Sequence, residues 1–320
     1  MSGMHGNISH AMRENYAEFG VDEYYRKVSA SYRNPFFEGI KKVVWTLMNR
    51  WWEEEGRELY TASGEAHGGL RVLDMAAGSG EATLVLLEWE RLARGITTAE
   101  SSTPADPASA STSLIPPLPL PPGSTVPTPS RPAFVPPNAR RGLAPHPQSQ
   151  SNGKRRGIFA NSAPHRVPRS FPPIQVTATD PYTSPAYSDR TSRPCYPLSF
   201  NSLSAGELPP NTQPDMEGVV WDMIFCSFAL HLVPPQELFP LCYELATKAR
   251  WLAVIAPHKK PELKETWGWT RWDMASWKPV GDKLYRGGGG RGDEQDDDEE
   301  TELEIVRDKV KLRLYRSTIL

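Results

Sequence analysis

The chain is poor in the features that an oxidised, metal-built or membrane-embedded protein needs. It carries three cysteines in 320 residues, Cys195, Cys226 and Cys242. Their number is odd and their spacing is not that of thiolate metal sites, so neither a disulfide framework nor a metal centre is expected. No apolar run approaches the roughly 20 residues a membrane-spanning helix requires, and the polar N-terminus has no signal-peptide core. The net charge of −2 supplies no broad field to draw in nucleic acid or membrane, which argues against both as partners. An intracellular protein is expected, cytoplasmic first and nuclear as the alternative; composition leaves its oligomeric state open.

Proline, in contrast, is abundant and unevenly placed. Residues 97–172 contain more than half of the chain's 32 prolines, with Ser, Thr, Ala and Gly filling most of the rest. Such a segment cannot propagate a helix or join a sheet ladder, and its low apolar content cannot offset the entropy of ordering. Residues 97–171 therefore read as a disordered insertion, tolerated because closure cost grows only logarithmically with loop length. Arg140-Arg141 and Lys154-Arg155-Arg156 within it read as solvated linker charges. A second low-complexity stretch, 287–302, is a glycine run followed by an acidic run and reads as a solvated loop.

The most informative residues run from Val72 to Thr83, Val-Leu-Asp-Met-Ala-Ala-Gly-Ser-Gly-Glu-Ala-Thr. A short apolar run ends in Asp74, a loop of tiny residues follows, and apolar residues then recur at helical spacing from Ala82 to Ala93. That is strand, tight turn and helix, the unit in which a backbone approaches a nucleotide-like ligand. A Cβ at Gly78 or Gly80 is expected to collide with the ligand or to forbid the required dihedrals. The loop is not a dinucleotide fingerprint, because the third small position falls on Thr83. Glu81 stands where a helix N-terminus would otherwise welcome phosphate. These two residues disfavour a nucleotide-dependent oxidoreductase. A cationic or zwitterionic ligand fits better, with Asp74 placed to accept from an ammonium group.

This stretch resembles motif I of the class I S-adenosylmethionine-dependent methyltransferases, D-x-[GA]-x-G-x-G, with Ala76 in the first small position. Two further segments carry the resemblance in order. Residues 174–181, IQVTATDP, are a β-rich run closed by Asp180, which the resemblance makes the acid that binds both ribose hydroxyls. Residues 220–233, VWDMIFCSFALHLV, look like motif IV, a buried strand followed by a small polar residue beside the methyl donor. Gly80 and Asp180 are 100 residues apart where the pattern has about twenty, so the insertion interrupts the family's first crossover. The resemblance implies S-adenosyl-L-methionine as cofactor, bound by Asp74, Ala76, Ala77, Gly78, Gly80, Asp180, Ser227 and Phe228.

The implied fold is α/β, a doubly wound, Rossmann-like, mostly parallel sheet with an antiparallel last strand, here the alternating run Asp308–Tyr315. Residues 1–60 form an N-terminal helical cap; residues 61–96 and 172–320 form the methyltransferase domain. In the cap, Asn34-Pro35 is expected to end a first helix, and Ile40, Val43, Val44, Leu47, Met48 and Trp51 mark a second. Tyr24, Tyr32 and Arg33 are candidates to line the cofactor pocket from this cap, and Trp267, Trp269, Trp272 and Trp277 fall in a segment the family uses for substrate. Methyl transfer draws most of its rate from alignment, so a general base is optional; the candidates are His231 and His258, just past the fourth and fifth strands. The amine-methylating N-P-P-[YF] signature is replaced by Cys226-Ser227-Phe228-Ala229, so the expected function is a methyltransferase acting on a small molecule. The alternative is a catalytically silent S-adenosylmethionine-binding regulatory protein.

Overall fold

Side-chain alternation in one short strand organises the molecule. The computed structural model describes residues 20–59, 69–96, 164–258, 260–280 and 304–320. The acidic 287–302 segment, and the proline-rich segment up to residue 163, lie outside the described residues. Strand β1, Arg71–Met75, buries every residue from Val72 on. Val72 joins one core cluster, Leu73 and Met75 the other, because successive side chains leave a strand on opposite faces. By the same alternation Asp74 shares the face of Val72. Strands β2 (Gln175–Thr179), β4 (Trp221–Ser227) and β5 (Ala249–Ala256) continue the pattern in parallel register, Leu73 opposite Thr177 and Ile224, and Ile224 opposite Leu252. Burial on both faces explains why β4 and β5 are nearly continuous apolar runs, whereas β2, nearer the sheet edge, carries Gln175 and Thr177 on its less buried half.

With β3 (Cys195–Tyr196), β6 (Trp269–Asp273), β7 (Lys278–Pro279), β8 (Ile305–Arg307) and β9 (Val310–Ser317), the sheet among the described residues runs β3-β2-β1-β4-β5-β9-β6-β7, with β8 paired to β9. The last strand, β9, is antiparallel to both β5 and β6. The architecture is therefore a doubly wound, Rossmann-like α/β sheet with an antiparallel last strand. Its strand order reverses between β1 and β4, which opens a crevice at their carboxyl ends.

Helices α2 (Phe37–Trp51) and α3 (Glu81–Ala93) cover the face of Val72, burying Ile40, Val44, Leu47, Val85, Leu86 and Trp89 against Met223, Phe225 and Ala253. Across the α2–α3 contact, Trp89 Nε1 donates to Asn49 Oδ1 at 2.8 Å. The other face packs on the helix Pro235–Ala246 through Leu238, Leu241 and Leu245. Helix α2 ends in one widened turn, Trp52–Gly56, at a glycine where a Cβ would sit 2.7 Å from both the Trp51 and Trp52 rings. The turn brings Glu55 to Trp251 Nε1 (2.9 Å) and Arg316 Nη1 (3.0 Å), fastening the cap to the sheet.

Four expectations are corrected here. Helix α1 spans Val21–Val28 and stops short of Asn34-Pro35, because Asn34 is drawn to α3: its N–H donates to Glu81 Oε1 while its Oδ1 accepts from Phe36 N. The strand expected over Asp308–Tyr315 begins at Val310, with Asp308 and Lys309 forming a left-handed turn. Within it Arg313 is buried and donates to Pro261 O at 2.8 Å, since β9 lies inside the sheet. The tryptophans at 267, 269, 272 and 277 pack on protein, Trp269 donating to Cys242 O and Trp272 and Trp277 lying against Trp251. Finally, residues 164–171 belong to the packed fold. Val167 N–H donates to Ala93 O at 3.0 Å, and Phe171 meets Trp52 edge-on at 5.3 Å.

That packing carries a prediction. Phe171 is buried beneath the Arg94 guanidinium, so Phe171→Ala should cost about 3 kcal/mol of unfolding free energy in urea titration. Wild-type stability in the variant would show that the segment does not belong to the core.

Candidate active site

Three loops meet in the crevice at the carboxyl ends of β1, β2 and β4. The first, residues 76–80, leaves β1 through Ala76, a residue with a side chain held at φ +54°, and continues through Gly78 at +59° and Gly80 at +82°. A left-handed alanine costs roughly 1 kcal/mol or more and persists only where its surroundings fix it. Here they do: Ala77 N–H donates to Thr179 O at 3.0 Å, Gly80 N–H to Ala77 O at 2.8 Å, and Thr183 Oγ1 to Gly78 O at 2.9 Å. The positive φ values bear out the expected dihedral requirement, while the expected collision is with a different partner. A Cβ on Gly78 would lie 2.9 Å from the Tyr32 ring, and one on Gly80 would lie 2.5 Å from the Thr191 methyl group. The obstruction is protein, not ligand.

Asp180 follows β2 directly and is buried. Its Oδ1 accepts from Tyr182 N and Thr183 N, both at 2.8 Å, and its Oδ2 accepts from Gly78 N at 3.1 Å. A carboxylate oxygen has two lone pairs. Oδ1 is thus filled by the chain, and Oδ2 retains one acceptor position toward the cavity. The expectation that both oxygens stand open to a ribose needs that revision.

Asp74 is placed differently again. It is buried on the face covered by α3, where its Oδ2 accepts from Thr83 Oγ1 at 2.6 Å and Thr83 N at 3.2 Å. Its Oδ1 is buried with no hydrogen-bond partner among the described residues. Burial pushes its pKa up to about 7, the Thr83 bonds oppose that, and the charges of Glu81 and Asp180 add to it. Asp74 does not border the main cavity.

That cavity, of about 700 Å³, is bordered by the first loop (Ala76, Ala77, Gly78), by Glu81, by Asp180, Pro181 and Tyr182, and by Ser227, Phe228 and Ala229 after β4. Helix α1 and the segment after it roof it with Tyr25, Arg26 and Tyr32, and Leu198, Phe200, Leu203, Leu232 and Val233 supply apolar walls. Its acidic groups are Asp22, Glu23, Glu81, Asp180 and Glu237; its one basic group among the described residues is Arg26, which pairs with Glu23 at 2.7 Å. The field inside favours a cation. Ser227 Oγ is buried with no partner among the described residues, and the next residue, Phe228, is held at φ +57°. Phe228 N–H donates to Ile255 O at 2.7 Å, and its ring stacks on Phe36 at 5.2 Å.

Of the residues singled out in the sequence, Ala76, Ala77, Gly78, Asp180, Ser227, Phe228 and Tyr32 meet around this one cavity. Gly80 supports the loop from behind. Tyr24 is buried in packing, and Arg33 is exposed and donates to Tyr32 O. His231 and His258 lie on the surface beside each other, rings perpendicular and 6.2 Å apart, outside the cavity's border. Partial desolvation of its ring, with the neighbouring His258, lowers the pKa of His231. Sequence reasoning missed Tyr25, Tyr182 and Glu237. The first two stack at 6.5 Å with planes 12° apart, joining α1 to the loop after β2. The Asp-Pro-Tyr run was visible; its partner on a distant helix was not.

Comparison with known proteins adds a relative but no activity. The chain is 32% identical over 276 residues to an uncharacterized protein of Schizosaccharomyces pombe, and the match covers 86% of each. The chain belongs to the same family as that yeast protein. No family model matches it. The mitomycin 7-O-methyltransferase MmcR shares 12% identity at a TM-score of 0.36, over 97% of this chain and 62% of that one; so loose a likeness carries no argument about activity. None of the helices among the described residues is long and apolar enough to cross a membrane.

The burial of Asp74 predicts a pH dependence. Its pKa is raised on folding, from 3.8 to about 7, so its stabilising contribution is full below the unfolded value and is lost as pH rises through the folded one. The loss between about pH 4 and pH 7 is on the order of 4 kcal/mol. Asp74→Asn cannot ionise, so urea denaturation should show the variant gaining on wild type by a few kcal/mol across that window. Parallel pH profiles would show that Asp74 is not held protonated.

Proposed function

We propose that the protein is an S-adenosylmethionine-dependent methyltransferase that acts on a small-molecule acceptor. The observation that carries the reading is the coincidence of three independent features in one crevice: the small-residue loop, the acid after β2, and a net acidic lining at the point where the strand order reverses. A dinucleotide would bring a pyrophosphate to the start of α3, where Glu81 stands buried. A sulfonium cofactor brings positive charge instead.

The residues present fit such a cofactor. Ser227 Oγ is a buried hydroxyl in need of a partner. Asp180 Oδ2 offers one position to a ribose hydroxyl, and Phe200 and Leu203 give an apolar wall beside it for a base. When bound, S-adenosylmethionine supplies an electrophilic methyl group on a positively charged sulfur. The chain's own part is to bind, align and exclude water. Tyr25 and Tyr182 close one side by stacking. The side walled by Leu232, Val233 and Pro234 is apolar except for Glu237, which suits an acceptor with an apolar body. A volume of about 700 Å³ accommodates a cofactor and a small molecule but not a polymer threaded through it.

One observation favours the second reading, a binding protein without turnover: both candidate bases lie outside the cavity's border. Alignment alone supports transfer when the acceptor is already deprotonated, so the first reading stands without them. Calorimetric titration should show S-adenosylhomocysteine binding with one site per chain and NAD not binding. NAD binding without S-adenosylhomocysteine binding would overturn the cofactor assignment. Incorporation of labelled methyl from S-adenosylmethionine into small molecules of a cell extract separates enzyme from binding protein; no incorporation with intact cofactor binding would favour the second.

A further inference from the structure

We propose that Glu81, and not Asp74, is the anion that receives the ligand's ammonium group; the inference rests on reading the cavity as an S-adenosylmethionine site. Glu81 is the first residue of α3, 3% exposed, and borders the cavity. Its Oε1 is saturated: it accepts from Ser79 Oγ at 2.5 Å, from Arg190 Nη1 at 2.8 Å and from Asn34 N at 3.1 Å. Among the described residues, Oε2 accepts from none. It lies 3.4 Å from where a Cβ on Gly78 would stand, on the inner side of the loop that the proposed cofactor's methionine portion follows.

Glu81 Oε2 has no protein donor on a residue that borders the cavity, and a charged donor from the ligand supplies one while adding attraction. The chain already prepares the site. Arg190, packed over the Phe37 ring at 4.8 Å, offsets the desolvation of the carboxylate through Oε1, fixes its rotation and leaves Oε2 directed at the cavity. Asp74 lacks this geometry. Strand alternation turns it to the α3 face and Thr83 occupies its Oδ2; its Oδ1 is unpartnered but buried, on a residue that does not border the cavity. Asn34 N–H couples the two elements: the anion that meets the ligand also holds the segment joining α1 to α2, so ligand binding and cap position share one carboxylate.

The test compares three ligands by calorimetry on the full chain. S-adenosylhomocysteine and its decarboxylated form carry the amine; 5′-methylthioadenosine lacks it. Glu81→Gln keeps an acceptor for Oε1's three donors and removes the charge. It should weaken both amine-bearing ligands at least tenfold and leave 5′-methylthioadenosine within about threefold. Asp74→Asn should weaken all three by similar factors or none. Should Glu81→Gln not fold, Glu81→Asp carries the same comparison, because its shortened carboxylate cannot hold both roles. Equal weakening of all three ligands by the Glu81 variant, or amine-selective loss in Asp74→Asn, overturns the assignment. Wild type that binds 5′-methylthioadenosine and S-adenosylhomocysteine equally overturns it too, while leaving the cofactor reading intact. Binding of none of the three by wild type overturns that reading itself.

Discussion

The carboxylate of Asp180 ties together the backbone amides of Gly78, Tyr182 and Thr183, and the cavity depends on that tie. Three oriented N–H groups take the place of the water that this carboxylate loses on burial. The geometric consequence is larger than the energetic one. The loop after β1 and the loop after β2 are clamped edge to edge, with Thr183 Oγ1 returning a bond to Gly78 O. Both the left-handed Ala76 and the start of the helix at Ser184–Thr191 are thereby fixed.

Backbone strain and an unpartnered hydroxyl border the crevice beside this clamp. Ala76 and Phe228, both with side chains and both at positive φ, flank the crevice from β1 and β4. Ser227 Oγ and the second oxygen of Glu81 lie between them. Positive φ and unpartnered polar atoms also occur elsewhere in the fold, at Trp277 and Arg313 for example, but here they border a cavity where the strand order reverses, the place where such sheets bind ligands. The acidic lining gives that surface a sign. Its one guanidinium among the described residues is already paired with Glu23, so a positively charged guest enters a field that favours it.

Much of this was legible in the residues, for identifiable reasons. Strand β1 and helix α3 announced themselves because an apolar run, a loop of tiny residues and a 3.6-residue period follow one another without interruption. Asp180 was found across a long insertion because a β-branched run ending in an acid is a local signal. What stayed hidden is what tertiary structure alone joins. The three donors to Glu81 come from residues 34, 79 and 190, so its role could not be read from motif spacing. The tryptophans of 267–277 suggested a substrate surface, but Trp272 and Trp277 serve a core shared with Trp251 and the widened turn after α2, and Trp267 and Trp269 pack in the core on the other face. Composition placed the end of the insertion at 171, because prolines at 164 and 168 hide the anchoring of Val167 and Phe171. The histidines looked catalytic by position after β4 and β5, yet each stands just beyond the rim.

The central claim is that the crevice between β1 and β4 is an S-adenosylmethionine pocket roofed by α1. A crystal structure of the chain grown with S-adenosylhomocysteine tests it most directly. The account predicts density in this cavity, with the ribose at Asp180 Oδ2, the thioether sulfur beside Ser227, and the amino-acid end against the loop of Ala76–Gly78. Density for the ligand elsewhere, or a crevice filled only by water at saturating ligand, would contradict it.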